Sequence, residues 1–376
     1  MLSALAQREV DTGPSALASA YNAKEIPGLN AMRAAAILLV VFSHQGLPVS
    51  GSLGVTMFFV LSGFLITRIL LKELNRTGTI GLRNFYKRRA MRIFPAFYLC
   101  WVVTTLLLLI QRRPIIWTQA AESFLYLANY GRAFLPFHQQ ESFHMGISWS
   151  LAVEEQFYLL WPLALLWIFR KGRSVCGLLT AAIVTIVLWR AALMLIFHVG
   201  WEYVYNAFDT RADALLIGCW LATYLGQRGE VSFEWVLRWR WLVLLPVAAL
   251  AACTLASTSE HSLLAQLTAA TIEPLLSGVL LLQLMRWGTV GWAWLEHWIV
   301  KLIARLSYSI YLFHPMVLQL QHLIPIRHAQ RIAMWPLIPV AAGISYYLVE
   351  RPIMRLRDRG KEESVLMDDG LHPLGS

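Results

Sequence analysis

Long apolar blocks recur along this chain, each near the length a helix needs to cross a hydrocarbon core of about 30 Å. Ten can be placed, over residues 30–46, 53–72, 94–111, 149–169, 175–198, 208–226, 241–256, 265–286, 303–323 and 332–350. A soluble fold of 376 residues could not hide so much apolar surface. Hydrophobic residues make up 57% and charged residues only 14%, against about 25% in a typical soluble domain. Mean hydropathy is +0.55. These numbers exclude an ordinary cytosolic enzyme, a disordered chain and a collagen-like one. The pattern predicts an all-α integral membrane protein with about ten transmembrane helices.

Charge sets the orientation. With the N-terminus inside, about 22 Lys and Arg fall in inner segments and about 5 in outer ones, so both termini are expected in the cytosol. The net charge of +10 is therefore a topology signal, scattered between apolar blocks, and no nucleic-acid partner is expected. Cys100, Cys176, Cys219 and Cys253 each lie inside an apolar block without a CxxC pair, which argues against a disulfide framework or a zinc site. Residues 1–28 lack the basic and apolar regions of a cleaved signal and read as a short, mobile cytosolic tail. Residues 29–352 then form the membrane domain, and 353–376 a loose cytosolic tail. Two stretches are expected outside regular membrane helices: a basic inner loop over 73–93, and an outer segment over 112–148, part of it an interfacial helix.

Ionisable groups at membrane depth cost several kcal/mol and are functional candidates by default. Arg33 and His44 share a helix and lie eleven residues apart, so both face one stripe about 16 Å apart along the axis. With Arg33 at the inner interface, His44 is expected buried beyond the midplane. A lone buried histidine is more often a hydrogen-bonded structural residue; its alignment with an arginine weighs against that. Glu154 and Glu155 enter an apolar helix in SWSLAVEEQFYLLWPL. Adjacent residues differ by about 100°, so one carboxylate faces the bundle interior, where it could support a histidine or form an ion pair with Arg211 or Arg33. Ser307, Tyr311 and His314 form a polar stripe, and Pro315 is placed to kink that helix and free a carbonyl. Helix packing explains the hydroxyls as well as function does; the histidine is harder to explain that way. Arg211 and Asp213 are expected to neutralise each other.

Lys87, Arg88, Arg89 and Arg92 form a dense cationic patch before the third block, with Arg89 and Arg92 on one face if helical. Such a patch binds several phosphates at once or, equally, anionic lipid headgroups. A phosphate site inside, a histidine further out and a carboxylate nearby fit group transfer across the membrane. No phosphate-binding glycine loop, HExxH or GxSxG motif supports an NTPase or hydrolase. His138 and His144, spaced by six with no obvious third ligand, make a poor metal pair, and no metal is expected.

The chain resembles acyltransferase family 3, the integral membrane O-acyltransferases. The resemblance runs through Arg33 and His44, GVTMFFVLSGFLIT (54–67), RRAMRIFPAFY with its Arg89 and Arg92, SWSLAVEEQFYLLWPL, RADALLIG, LSYSIYLFHP and VERPI, covering about 29–352. Jointly these motifs are specific; singly, each is weak. The resemblance implies transfer of an acetyl or other short acyl group from cytosolic acyl-coenzyme A to a hydroxyl of a carbohydrate, lipid-linked glycan or small acceptor, in a bacterial-type inner membrane. It implies Arg33 and His44 as the essential pair, with His44 as base or transient acyl carrier. Arg88, Arg89 and Arg92 would hold coenzyme A phosphates, and Glu154 or Glu155 would support the histidine or acceptor. Acyl-coenzyme A is then a co-substrate, and no permanently bound cofactor is expected. Some relatives add an extracellular SGNH-type domain, and none is expected in this chain. Two rival readings are a transporter with an intramembrane proton relay and a non-catalytic scaffold or sensor. The first predicts inverted repeats and helices broken in matching halves, and the sequence shows neither.

Overall fold

The architecture was analysed in a computed structural model that describes residues 16–135, 145–228, 248–249, 263–290, 293–320 and 327–356. The described chain is helical: α1 (Ala16–Asn22), α2 (Leu29–His44), α3 (Gly51–Thr77), α4 (Leu82–Ile110), α5 (Trp117–Phe124), α6 (Ala128–Ala133), α7 (Ser148–Arg170), α8 (Val175–Leu195), α9 (Trp201–Asn206), α10 (Phe208–Arg228), α11 (Leu263–Val290), α12 (Trp298–Gln319) and α13 (Arg327–Ser345). After α13 the backbone widens into a π turn over Tyr346–Glu350, and 351–356 continue as helix, so the polar C-terminal segment starts ordered. Among the described residues, five helical segments are long and apolar enough to cross a membrane: Gly51–Thr77, Leu82–Ile110, Ser148–Arg170, Val175–Leu195 and Ala269–Gly288. The helix expected over 241–256, apart from 248–249, lies outside the described residues, as do His138 and His144.

Contacts between helices fix their directions. Arg211 reaches Thr56 near the start of α3, and the Cys219 thiol reaches the Gly63 carbonyl further along, so α3 and α10 run parallel. Ser62 meets Glu154, and Thr67 meets Trp161, so α7 runs the same way. The Tyr308 hydroxyl donates to the Ile93 carbonyl, and the Cys100 thiol reaches the Leu312 carbonyl, making α4 and α12 parallel to each other. His44 of α2 lies beside His314 of α12. One end of the bundle therefore gathers the end of α2, the starts of α3, α7 and α10, and the end of α12. The other gathers Arg33, the end of α3 and the basic start of α4.

α3 is the central helix. Gly63 and Gly218 allow it to meet α10 backbone to backbone: a Cβ on either would fall on the Leu215 or Val60 carbonyl. Small residues at such a crossing replace the hydrophobic drive that lipid cannot supply. α4 and α8 sit at the periphery, with Leu106, Leu109, Ile110 and Leu188 exposed on the lipid-facing side.

Two expectations about the termini of helices are corrected here. Residues 73–93 are not a loop: α3 continues to Thr77, Gly78 closes it in the left-handed conformation, and α4 begins at Leu82. Nor are residues 16–22 a mobile tail. α1 buries Leu17, Ala20 and Tyr21, and Arg68 ties down its end, with Nε donating to the Tyr21 carbonyl at 2.6 Å and Nη2 to the Ala23 carbonyl at 2.5 Å. A cation at the C-terminus of a short helix satisfies carbonyls that have no partner within the helix. Residues 112–135 contain two short helices, α5 and α6.

Candidate active site

A cavity of about 600 Å³ opens at the arginine end of the bundle. α2 contributes Arg33, α3 Ser62 and Arg68, α4 Arg89 and Arg92, α7 Ser150, Glu154 and Tyr158, and α12 Lys301, Arg305, Ser307 and Tyr311; Lys24 and Glu25 stand at its edge. Seven cationic side chains thus face two carboxylates. Low-dielectric walls lined by one sign of charge concentrate an anion of the opposite sign. Helix α4 explains the phosphate-sized grouping: Arg89 and Arg92, three residues apart, share the face turned to the cavity. The Arg89 guanidinium lies 3.8 Å from the centre of the Tyr158 ring, a cation–π contact that holds it in place.

Arg88 is not part of this grouping. It points away and pairs with Glu73 at 3.7 Å, because adjacent helical residues cannot share a face. The same geometry separates the two glutamates. Glu154 lines the cavity and accepts from the Ser62 hydroxyl at 2.6 Å, whereas Glu155 does not line it. Arg211 and Asp213 do not neutralise each other. They are two positions apart on α10, about 200° around the helix. Asp213 instead pairs with Arg190 of α8 at 2.7 Å, and both are buried; Arg211 donates to Thr56 at 3.0 Å and lies over the Phe59 and Tyr205 rings.

At the opposite end of α2, His44 is exposed and does not line the cavity, which corrects its expected burial. α2 ends at His44 itself, and the turn through Gly46 and Pro48 leaves the ring at the bundle rim. Its Nδ1 is 2.8 Å from the Val40 carbonyl. A carbonyl only accepts, so Nδ1 donates to it, and in the neutral ring Nε2 then carries the lone pair. The neighbouring ring is His314, edge to face at a centroid separation of 4.9 Å. His314 is fully buried, and its Nδ1 lies 2.8 Å from the Tyr311 carbonyl. Pro315 accounts for that bond: it lacks the N–H that would close the helical hydrogen bond to Tyr311, so the freed carbonyl takes the imidazole proton. The His314 Nε2 is buried with no hydrogen-bond partner among the described residues. Tyr311, one turn earlier, links the two regions. Its hydroxyl is 2.5 Å from that of Ser150 on the cavity wall, and its ring centre is 5.9 Å from that of His314.

Of the residues anticipated from sequence, the cavity brings together Arg33, Arg89, Arg92, Glu154, Ser307 and Tyr311, while His44 and His314 meet beyond it. Sequence reading passed over Arg68, Lys301, Arg305, Ser62 and Ser150. Arg68 carried a readable signal, being the only charged residue in the apolar run from Gly54 to Leu71.

The family described as Acyltransferase domain matches residues 26–349, spanning cavity and histidine pair together. This chain belongs to acyltransferase family 3. Among its relatives in the family, the peptidoglycan O-acetyltransferase OatA of Listeria monocytogenes is 36% identical over 214 residues, 54% of this chain and 34% of the relative. The O-acetyltransferase OatA of Staphylococcus aureus is 36% identical over 214 residues, 54% of this chain and 35% of the relative. The putative peptidoglycan O-acetyltransferase YrhL of Bacillus subtilis is 37% identical over 211 residues, 52% and 33% respectively. The match therefore spans about a third of the length of these curated relatives. No solved structure matches the chain significantly.

Proposed function

We propose that this protein transfers an acetyl or other short acyl group from acyl-coenzyme A to a hydroxyl of a glycan, with peptidoglycan the acceptor class that its relatives' names point to. In this reading the chain crosses a bacterial inner membrane about ten times, with both termini and the arginine end of the bundle in the cytosol, as the inner excess of Lys and Arg supports. The observation that carries the reading is the cavity itself: cationic at the basic end, and stopping at Tyr311, one helical turn from the His44–His314 pair.

The roles follow from position. Arg33, Arg89, Arg92, Lys301 and Arg305 hold the donor's phosphates, with the arginines offering forked donors to phosphate oxygens. Glu154 accepts from amide N–H groups along the donor's arm, which directs the thioester toward Tyr311. At the other end, His44 Nε2 takes the proton of the acceptor hydroxyl. The alcohol oxygen attacks the thioester carbon, the carbon–sulfur bond breaks, and coenzyme A leaves as a thiolate that receives the proton held on the imidazole. For these parts to meet, the acceptor hydroxyl must reach the thioester at the layer formed by Tyr311.

Purified protein supplied with labelled acetyl-coenzyme A and a soluble glycan acceptor tests the reading. Wild type should esterify the glycan, and His44→Ala should lose about 10²-fold or more of that transfer, the usual contribution of a general base, while still binding coenzyme A. Full transfer by His44→Ala would reject the assigned chemistry.

A further inference from the structure

The inner end of the cavity is built as a stop. On α12 the lining runs through Ala304, Ser307 and Tyr311 and ends there; His314, the next residue on that stripe, is outside it. On α7 it runs from Tyr158 through Glu154 to Ser150. These two terminal residues are joined: the Tyr311 and Ser150 hydroxyls are 2.5 Å apart, and each also reaches the Ile147 carbonyl at 3.2 Å. A phenol ring held by two partners at its tip is a fixed wall and not a mobile side chain. Tyr311 is 7% exposed and lines the cavity. Ser307, one turn nearer the mouth, is a small lining residue just below the ring.

We propose that Tyr311, clamped by Ser150 and the Ile147 carbonyl, determines which acyl groups the protein accepts: the carbon end of the acyl chain abuts the ring, and only short chains leave the thioester in register with the histidine pair. This inference rests on the reading of the cavity as an acyl-thioester site. The lining beside the ring includes Ser150, Leu151 and Ser307, and the bulk of Tyr311 sets the limit on chain length there. Removing the ring opens apolar space, and each newly buried methylene is worth about a fourfold gain in binding.

The test is competition binding and turnover of acetyl-, butyryl- and hexanoyl-coenzyme A on the purified full chain. Wild type should bind acetyl-coenzyme A best. Tyr311→Ala should raise the butyryl-to-acetyl affinity ratio about tenfold and the hexanoyl-to-acetyl ratio further, whereas Tyr311→Phe, which keeps the ring, should hold the wild-type ratios within about threefold. Binding is read directly, so a variant that has lost turnover still reports. Should Tyr311→Ala fail to fold, Tyr311→Leu takes its place, with a smaller shift in the same direction. Unchanged ratios in the truncated variant, or wild type binding hexanoyl- as tightly as acetyl-coenzyme A, overturns the role of Tyr311 while leaving the donor assignment intact. Absence of any acyl-coenzyme A binding in wild type overturns the donor assignment and this inference with it.

Discussion

The imidazole rings of His44 and His314, on the ends of α2 and α12, meet edge to face at 4.9 Å. Each ring is oriented by its own helix: His44 Nδ1 by the Val40 carbonyl, His314 Nδ1 by the Tyr311 carbonyl that Pro315 leaves open. In the neutral rings both Nε2 atoms are thereby acceptors. The exposed ring can take a proton from outside the bundle, and the buried one backs it.

Pro315 is the lever in this arrangement. Pro315→Ala restores an N–H that competes with His314 for the Tyr311 carbonyl. The expected outcome is a more stable α12, since proline in a helix interior costs about 3 kcal/mol, together with reduced acyl transfer. Thermal unfolding and turnover measured on the same preparation check it; a rise in stability with full activity would remove the role assigned to this carbonyl.

His314→Phe keeps an aromatic ring, somewhat larger than imidazole, but leaves the Tyr311 carbonyl without a donor. An unsatisfied buried acceptor costs about 1–3 kcal/mol, so the variant should melt at lower temperature than wild type. His314→Gln, which can still donate, should recover part of that loss.

The cationic cavity gives a graded prediction. Losing a charge-assisted hydrogen bond costs about 1.5–3 kcal/mol, so Arg89→Ala combined with Arg92→Ala should weaken coenzyme A binding by more than tenfold. Arg88→Ala should leave it within about twofold, since Arg88 pairs with Glu73 away from the cavity. Calorimetric titration with coenzyme A distinguishes the two, and equal losses would mean the whole basic segment acts as a diffuse patch.

The buried Arg190–Asp213 pair predicts a folding defect and not a catalytic one. Asp213→Asn strands a buried guanidinium, which costs about 3–5 kcal/mol, so little folded protein should be recovered. Replacing both partners with apolar residues of similar volume should restore much of the yield. Size-exclusion profiles in detergent read out both.

What the sequence made legible is what periodicity and charge can carry. The apolar block at 53–72 sits within α3, and the eleven-residue spacing of Arg33 and His44 places them on one helix at opposite ends. Arg89 and Arg92 share a face as their spacing requires. Long-range partnership was not legible. Nothing in RADALLIG says that Asp213 will find Arg190 on another helix, or that His314 will meet His44. The burial of His44 was misjudged because the depth of a short helix depends on the turn that follows it, and the chain turns into α3 immediately after that residue. The helical start of α4 was hidden by its charges, which line a cavity on one side and pair with Glu73 on the other. α1 was missed because its stability comes from Arg68, a residue on a different helix.

If donor and acceptor are served from opposite ends of one bundle, vesicles reconstituted with uniformly oriented protein will show it. Labelled acetyl-coenzyme A is supplied on the face where the arginine cavity opens and a membrane-impermeant glycan on the other. Acetylated glycan should form only with that arrangement of the two substrates. Acetylation that occurs only when both are on the same face would contradict it.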